Sequence, residues 1–439
     1  MESPRRLRRG RQRPRRREVR VVPRPPARPR AARADPRALR SGAWANQSAQ
    51  GGNRFADTVC VPFQRPIRRE PASDGRLRVI VHRGARQIGG SCIEVSSGPT
   101  RIILDAGLPL AADLGRGPLI PPVAGLFGSA GQPVDGLFLS HAHADHSGLI
   151  AASRTDVPVW MTAGTSKMML AGGVFALQPE VPRLRRRTLV PGKPTCVGNL
   201  TVTALPVDHS VYDAMAFLVE NGQERLLYTG DLRFHGRKPG MARQLVAAAT
   251  AAPLDILVIE GTRLGGRSSE PNLSEAELEQ QITADLRKTT GAALAMYSPL
   301  NVDRFVTFLK AARAAGRTFV IDPYQSFVLH LIGRQTRLRR PGAHAGLRVM
   351  VPPRFAAGRA GRRLGHADWA RRLGDGAIDA AEILQAPEKF VVLYRQSMQP
   401  WLFKGGLPHG ATVFFSYWPG YLEEPRLQSL VAAIERTGG

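Results

Sequence analysis

The stretch Ser140-His141-Ala142-His143-Ala144-Asp145-His146 constrains this chain more than any other. It puts three imidazoles and a carboxylate within six positions, directly after the apolar run Gly136-Leu137-Phe138-Leu139. A strand that ends in such a cluster aims several short, rigid ligands at one point. Neutral imidazole and carboxylate together suit zinc or a similar divalent cation. A fold that uses them must bring further ligands there from other strand ends, so short polar residues after other apolar runs become the candidates.

Asp105 follows Ile102-Ile103-Leu104 and precedes Ala106-Gly107; His209 follows Leu205-Pro206-Val207-Asp208; Asp231 follows Leu226-Leu227-Tyr228-Thr229-Gly230. Singly, such an aspartate is an ordinary turn former and such a histidine an ordinary loop residue. Together with the HxHxDH cluster they read as one ligand set.

Short apolar runs bounded by Gly, Pro and polar residues predict strands at Leu77–Val81, Cys92–Val95, Ile102–Leu104, Gly136–Leu139, Val157–Met161, Leu200–Leu205, Ala216–Val219, Arg225–Tyr228 and Ile256–Ile259. So many strands before any long amphipathic helix predict a two-sheet α/β/β/α sandwich rather than an open parallel sheet. After Glu260 the texture changes. Ser274 and Glu277 form a capping-box pattern for a helix towards Leu286, then come a strand at Ala292–Tyr297, a helix at Val302–Ala315 and a strand at Thr318–Ile321. That alternation predicts a parallel α/β unit. Gly333 to Gly376 reads as loops and basic helices, followed by strands at Phe390–Leu393 and Thr412–Phe415 and a helix at Glu424–Arg436.

The series Asp105, His141-x-His143-x-Asp145-His146, His209 and Asp231 resembles the successive motifs of the metallo-β-lactamase superfamily. Gly84-Ala85-Arg86-Gln87-Ile88-Gly89-Gly90-Ser91-Cys92-Ile93, Leu227-Tyr228-Thr229-Gly230-Asp231, Asp255 to Thr262 and Ser298-Pro299-Leu300-Asn301-Val302-Asp303-Arg304 are similar to the β-CASP branch, which includes ribonuclease J and the cleavage-and-polyadenylation endonucleases. The resemblance covers residues 77–330 well. It implies a metallo-β-lactamase α/β/β/α sandwich over 76–262, an inserted α/β β-CASP-like domain over 263–396 and a return to the first domain over 397–439, while the Arg/Pro-rich composition of 1–75 predicts a disordered tail. It also implies two zinc ions, with manganese as the other candidate. His141, His143 and His209 would hold the first and Asp145 and His146 the second; Asp231 would bridge them, and Asp105 would orient a ligand histidine. Asp145, Asp231 and Glu260, the last matching the acid that opens the insertion, are the expected catalytic carboxylates. Such a pair of ions activates water and neutralises a phosphodiester oxyanion.

One departure stands out. The branch carries a Gly-His motif and a further histidine after the insertion, whereas no histidine follows His409 here. The expectation is a shortened product, a weak second metal site or lost activity. His409 precedes the last strand, on the wrong side of the pattern; His235 reads as a loop residue near the metals, and His330, His344 and His366 as ordinary loop or helix residues.

Charge bears on the expected partner without identifying it. The sequence carries +27, of which residues 1–40 contribute sixteen arginines against Glu2, Glu18 and Asp35, or +13, leaving +14 for the other 399 residues. A proline-interrupted arginine tail cannot build a core. The excess on the body, including Arg183-Leu184-Arg185-Arg186-Arg187 and Arg334 to Arg340, favours a nucleic-acid partner, and the resemblance to the β-CASP branch implies RNA first and DNA second. No apolar run approaches the ~18 residues of a membrane span. Cys60, Cys92 and Cys196 form no CxxC pair, which suits a reducing cytoplasm. A homodimer is compatible with all of this. Gly84 to Gly90 does not match GxGxxG and GxSxG is absent, so neither a dinucleotide site nor a serine nucleophile is expected. The expected function is a metal-dependent ribonuclease; the alternatives are a hydrolase of a small ester, thioester or lactam, and an RNA-binding protein with little catalysis.

Overall fold

The computed structural model describes residues 75–110, 119–262, 272–338 and, apart from 343–345, 366–372, 374–375, 405–406, 418–420 and 423–424, residues 341–436. The tail expected over 1–75, save Gly75, lies outside them, as do Cys60, His344 and His366.

The first sheet opens with β1 (Arg78–Arg83), β2 (Cys92–Ser97) and β3 (Thr100–Leu104) as an antiparallel meander. Next to β3, β4 (Gly136–Phe138), β5 (Val159–Thr162) and β6 (Arg186–Leu189) add in parallel. The second sheet runs antiparallel through β7 (Pro194–Val197), β8 (Leu200–Pro206), β9 (Met215–Glu220) and β10 (Arg225–Tyr228), and β11 (Ile256–Val258) joins β10 in parallel.

Strand alternation sorts the side chains into layers. Ile102, Leu104 and Phe138 share a buried cluster with Val202, Phe217 and Tyr228, which is the core between the two sheets. Their neighbours Ile103 and Leu137 belong to another cluster with Met168 and Val174 of α2 (Ala163–Phe175), the helix outside the first sheet. The helix α3 (Pro239–Thr250) packs outside the second sheet against β8. The sandwich is the α/β/β/α arrangement that the strand count predicts. Helix α2 escapes sequence reasoning because small and apolar residues surround it: eight of its thirteen residues are buried, so no amphipathic period exists.

The third sheet is wholly parallel, in the order β15-β14-β13-β16-β12-β17. Its strands are β12 (Ala293–Met296), β13 (Thr318–Ile321), β14 (Leu347–Met350), β15 (Ala377–Ile378), β16 (Phe390–Leu393) and β17 (Thr412–Phe415). Like most parallel sheets it is covered on both faces. Ala293 and Ala295 cluster with Phe305 and Phe308 of α5 (Val302–Ala314), while Leu294 and Met296 cluster with Leu427 and Leu430 of the helix Pro425–Arg436. Before α5 comes α4 (Glu275–Lys288), which begins with the expected capping box: Ser274 Oγ accepts from Glu277 N, and the Glu277 carboxylate accepts from Ser274 N at 2.7 Å.

Two features bear on the expected boundaries. Residues 397–439 do not rejoin the first two sheets with their strand: β17 pairs in parallel with β12, Ala293 opposite Thr412, at the edge of the third sheet. Its half-buried Thr-Val-Phe-Phe run completes that core, with Phe414 against Phe308. Nor does a gap in packing mark residue 262. Ile103, Leu137 and Met168 share one buried cluster with Phe305, Phe308 and Tyr324. Among the described residues no helix is long and apolar enough to cross a membrane.

Candidate metal centre

β3 and β4 are parallel neighbours, so their carboxyl ends meet, bringing Asp105 beside Ser140 and the histidine cluster. β8 and β10 flank β9 in the second sheet and run the same way, so their carboxyl ends present His209 and Asp231 together. The short helix α1 (Ala144–Ser147) carries Asp145 and His146. Its backbone is tied down on one side: Ser91 N donates to Asp145 O at 3.0 Å, Ala106 N to His146 O at 2.8 Å and Leu108 N to Ala144 O at 2.9 Å. The approach is close enough to demand glycine at 107, where a Cβ would lie 1.6 Å from Asp145 O.

The ligand-type atoms converge. His141, His143 and His209 offer one nitrogen each within 4.8 Å of one another, and so do His141, Asp145 and His146 with one ligand atom each. Asp231 stands between the two groups. Its Oδ1 is 3.0 Å from His146 Nε2, and its Oδ2 is 3.8 Å from His209 Nε2 and 3.9 Å from His141 Nε2. His143 Nδ1 and His209 Nε2 are 3.2 Å apart. All six side chains singled out as ligands therefore come together, from the ends of three strands, β4, β8 and β10. Neither group includes His235 or the exposed His409.

Asp105 organises the centre from beneath. It is fully buried, in the left-handed region at φ 61°. Its carboxylate accepts from Ser140 N and Ser140 Oγ, both at 2.7 Å, from Tyr228 OH at 2.6 Å and from His146 Nδ1 at 2.8 Å. An ionised carboxylate only accepts, so His146 carries its proton on Nδ1 in that bond and turns Nε2 inward. The Ser140 hydroxyl spends its proton on Asp105 and thus accepts from His141 Nδ1 at 2.9 Å, which turns His141 Nε2 inward too. That Nε2 is buried and has no hydrogen-bond partner among the described residues. A buried lone pair left alone is costly, and a cation is the partner that such a donor set fits.

Electrostatics agree. Burial, reinforced by the neighbouring imidazoles, holds His141 well below its ordinary pKa, and it lowers His143 as well. Burial with His143 alongside pushes His209 down to about 3. All three would be neutral at pH 7, the state in which imidazole ligates. For His146, burial disfavours the charged form, but Asp231 and Asp105 outweigh it and raise the pKa well above the ordinary value. For Asp231, burial would favour protonation, but His146 outweighs it and holds the carboxyl well below the usual range. A cation arriving here would replace the proton that His146 and Asp231 share.

Glu260 lies just beyond β11 and is half-buried. Its Oε1 accepts from Leu232 N at 3.1 Å and its Oε2 from Thr262 N at 3.3 Å, so it steadies the loop after Asp231. Sequence reasoning gave no role to Ser140 or Tyr228, although both stand inside the quoted motifs. Their task depends on which strands are neighbours, which spacing alone does not reveal. The basic run 183–187 is only partly a surface feature: Arg185 is buried, donating to Val157 O at 2.9 Å and Ser153 Oγ at 2.8 Å.

Comparison with known proteins adds four findings. Residues 100–306 match the family model of a beta-lactamase superfamily domain. The chain is 27% identical to ribonuclease J of Mycobacterium tuberculosis over 290 residues, covering 62% of this chain and 48% of that protein. It is also 27% identical to transcription termination factor FttA of Methanothermobacter thermautotrophicus over 248 residues, covering 51% of this chain and 38% of that one. The chain thus spans less than half the length of either curated relative. Among solved structures, a protein of unknown function from Enterococcus faecalis V583 superposes with a TM-score of 0.63 at 21% identity, over 82% of this chain and 85% of that one.

Proposed function

On the premise that this chain carries a metallo-β-lactamase-fold domain, of the branch that includes ribonuclease J, we propose that it is a metal-dependent hydrolase that cleaves RNA phosphodiester bonds. The observation that carries the reading is the convergence of His141, His143, Asp145, His146, His209 and Asp231, with His141 Nε2 buried and lacking a hydrogen-bond partner among the described residues. His141, His143 and His209 would hold one divalent cation and Asp145 and His146 a second, with Asp231 reaching both. Zinc suits this set and manganese is acceptable to it. Bound there, the cations would supply an activated water at neutral pH and offset charge on a phosphodiester oxygen.

The chain's own residues do the rest. Asp105 fixes the tautomer of His146 and, through Ser140, that of His141, so the Nε2 of each is turned toward the ligand cluster before any cation arrives. Glu260 holds the Leu232 backbone and with it the position of Asp231. RNA is favoured as substrate by ribonuclease J among the relatives, by the residual positive charge and by the parallel α/β layer packed over the sandwich.

A fluorescent RNA, incubated with the full chain and added zinc or manganese, tests this. Cleavage that His143→Ala abolishes without loss of fold is the expected outcome. A chromogenic lactam cut while RNA stays intact would redirect the reading to small substrates. RNA bound but never cut would leave a binding protein.

A further inference from the structure

A chain of charges joins the two loops that carry His209 and Asp231, first to each other and then to the inserted helices. Arg233 N donates to Asp208 O at 2.8 Å and Arg233 Nε to Asp208 Oδ1 at 3.2 Å, while Gly236 N donates to Asp208 Oδ2 at 2.8 Å. Asp208 precedes His209, and Arg233 lies two residues beyond Asp231. The other arms of the same guanidinium leave the sandwich. Nη1 donates to Glu275 Oε1 on α4 at 3.4 Å, and Nη2 donates to Asp303 Oδ2 on α5.

Both acids are anchored in turn. Glu275, 2% exposed, also accepts from Arg304 Nε at 3.4 Å, from Arg304 Nη2 at 3.2 Å and from the Thr307 hydroxyl. Asp303 accepts from Arg237 N at 3.1 Å, and Arg304 Nη1 reaches Ser416 Oγ at the end of β17. Burying so many charges gains little stability over apolar packing, since desolvation offsets the attraction. What it does supply is direction. A planar fork that must satisfy three carboxylates on three segments has one seating, which a flexible ammonium cannot reproduce.

We propose that Arg233 is a positioning residue that sets the separation of His209 and Asp231 and makes it depend on how α4 and α5 are seated. The cation centre is thereby completed by the inserted layer, although that layer contributes no ligand among the described residues. The inference rests on reading His209 and Asp231 as cation ligands.

Zinc affinity and stoichiometry of the full chain test it, by chelator competition at a temperature where circular dichroism shows each variant folded. R233K keeps the charge and loses the fork. D303N removes one anchor on α5 and leaves the Asp208–Arg233 pair in place. Each should weaken zinc binding roughly 10- to 100-fold, the range found when groups that orient ligands are removed. H143A should lose the zinc of the His141–His143–His209 group. Wild-type affinity in both R233K and D303N, with that zinc lost in H143A, overturns the positioning role and leaves the metal reading standing. A lower melting temperature with unchanged affinity has the same meaning, since that is what a purely structural network would give. Zinc fully retained by H143A overturns the metal reading itself. Should R233K not fold, D303N carries the test alone.

Discussion

Asp105 controls more of the centre than any side chain that would touch a cation. One carboxylate decides which nitrogen of His146 faces inward and, through Ser140, which nitrogen of His141 does. Asp105→Asn replaces an acceptor-only group with one that also donates, so it must turn its amide nitrogen toward at least one existing donor. Zinc affinity should fall roughly 10- to 100-fold while the ligands themselves are untouched; wild-type affinity in a chelator titration would remove Asp105 from this role. At this scale the sequence is informative where function needs a distinctive residue type. Six ligand candidates and Asp105 stand out because imidazoles and carboxylates follow apolar runs. Tyr228 does not, because its bond to Asp105 spans 123 positions and crosses between sheets.

At the scale of elements, legibility follows burial. Strands such as β2 and β9 read clearly from their apolar residues, and the start of α4 from its capping box. Helix α2, apolar nearly all round, and β6, whose Arg-Arg-Thr-Leu looks like a solvated run, do not. In β6 the half-buried Arg186 is satisfied by Ser166 Oγ at 2.9 Å, a partner twenty residues away that no local pattern announces. The first turn of α4 carries its own prediction. Burial would raise the pKa of Glu275, but Arg304, Thr307 and Arg233 outweigh it and hold the carboxyl below its ordinary 4.5. The folded state therefore takes up this proton less readily than the unfolded one. The stability contributed is complete above pH 4.5 and is lost as pH falls through the depressed folded value. Glu275→Gln should cost on the order of 3 kcal/mol at pH 7, the usual result of breaking a buried ion pair. That deficit should shrink as pH drops from 5 to 3. Denaturant melts across this range would show it, and a deficit that stays constant would mean that Glu275 titrates alike in both states.

At the scale of the whole molecule, charge and topology matter most. If RNA binds through counterion release, the logarithm of affinity should fall with the logarithm of salt by about 0.7 per phosphate contacted. Exposed Arg183 and buried Arg185 should then part company. Arg183→Ala should flatten the salt slope, whereas Arg185→Ala should lower the melting temperature. Identical behaviour of the two in filter-binding and thermal assays would dismiss the run as an RNA surface. The two-sheet sandwich and the parallel unit were foreseeable from their strand patterns. The destination of β17 was not, because a half-buried Thr-Val-Phe-Phe strand carries no label for which sheet it completes. That destination has a consequence for synthesis. The first two sheets need nothing beyond Val258, but the third waits for residue 415 before the flank of β12 is closed. During the translation of more than a hundred codons, β12 offers a bare row of amides and carbonyls to any strand that drifts past. A nascent chain built this way has reason to remain under chaperone cover until β17 leaves the ribosome.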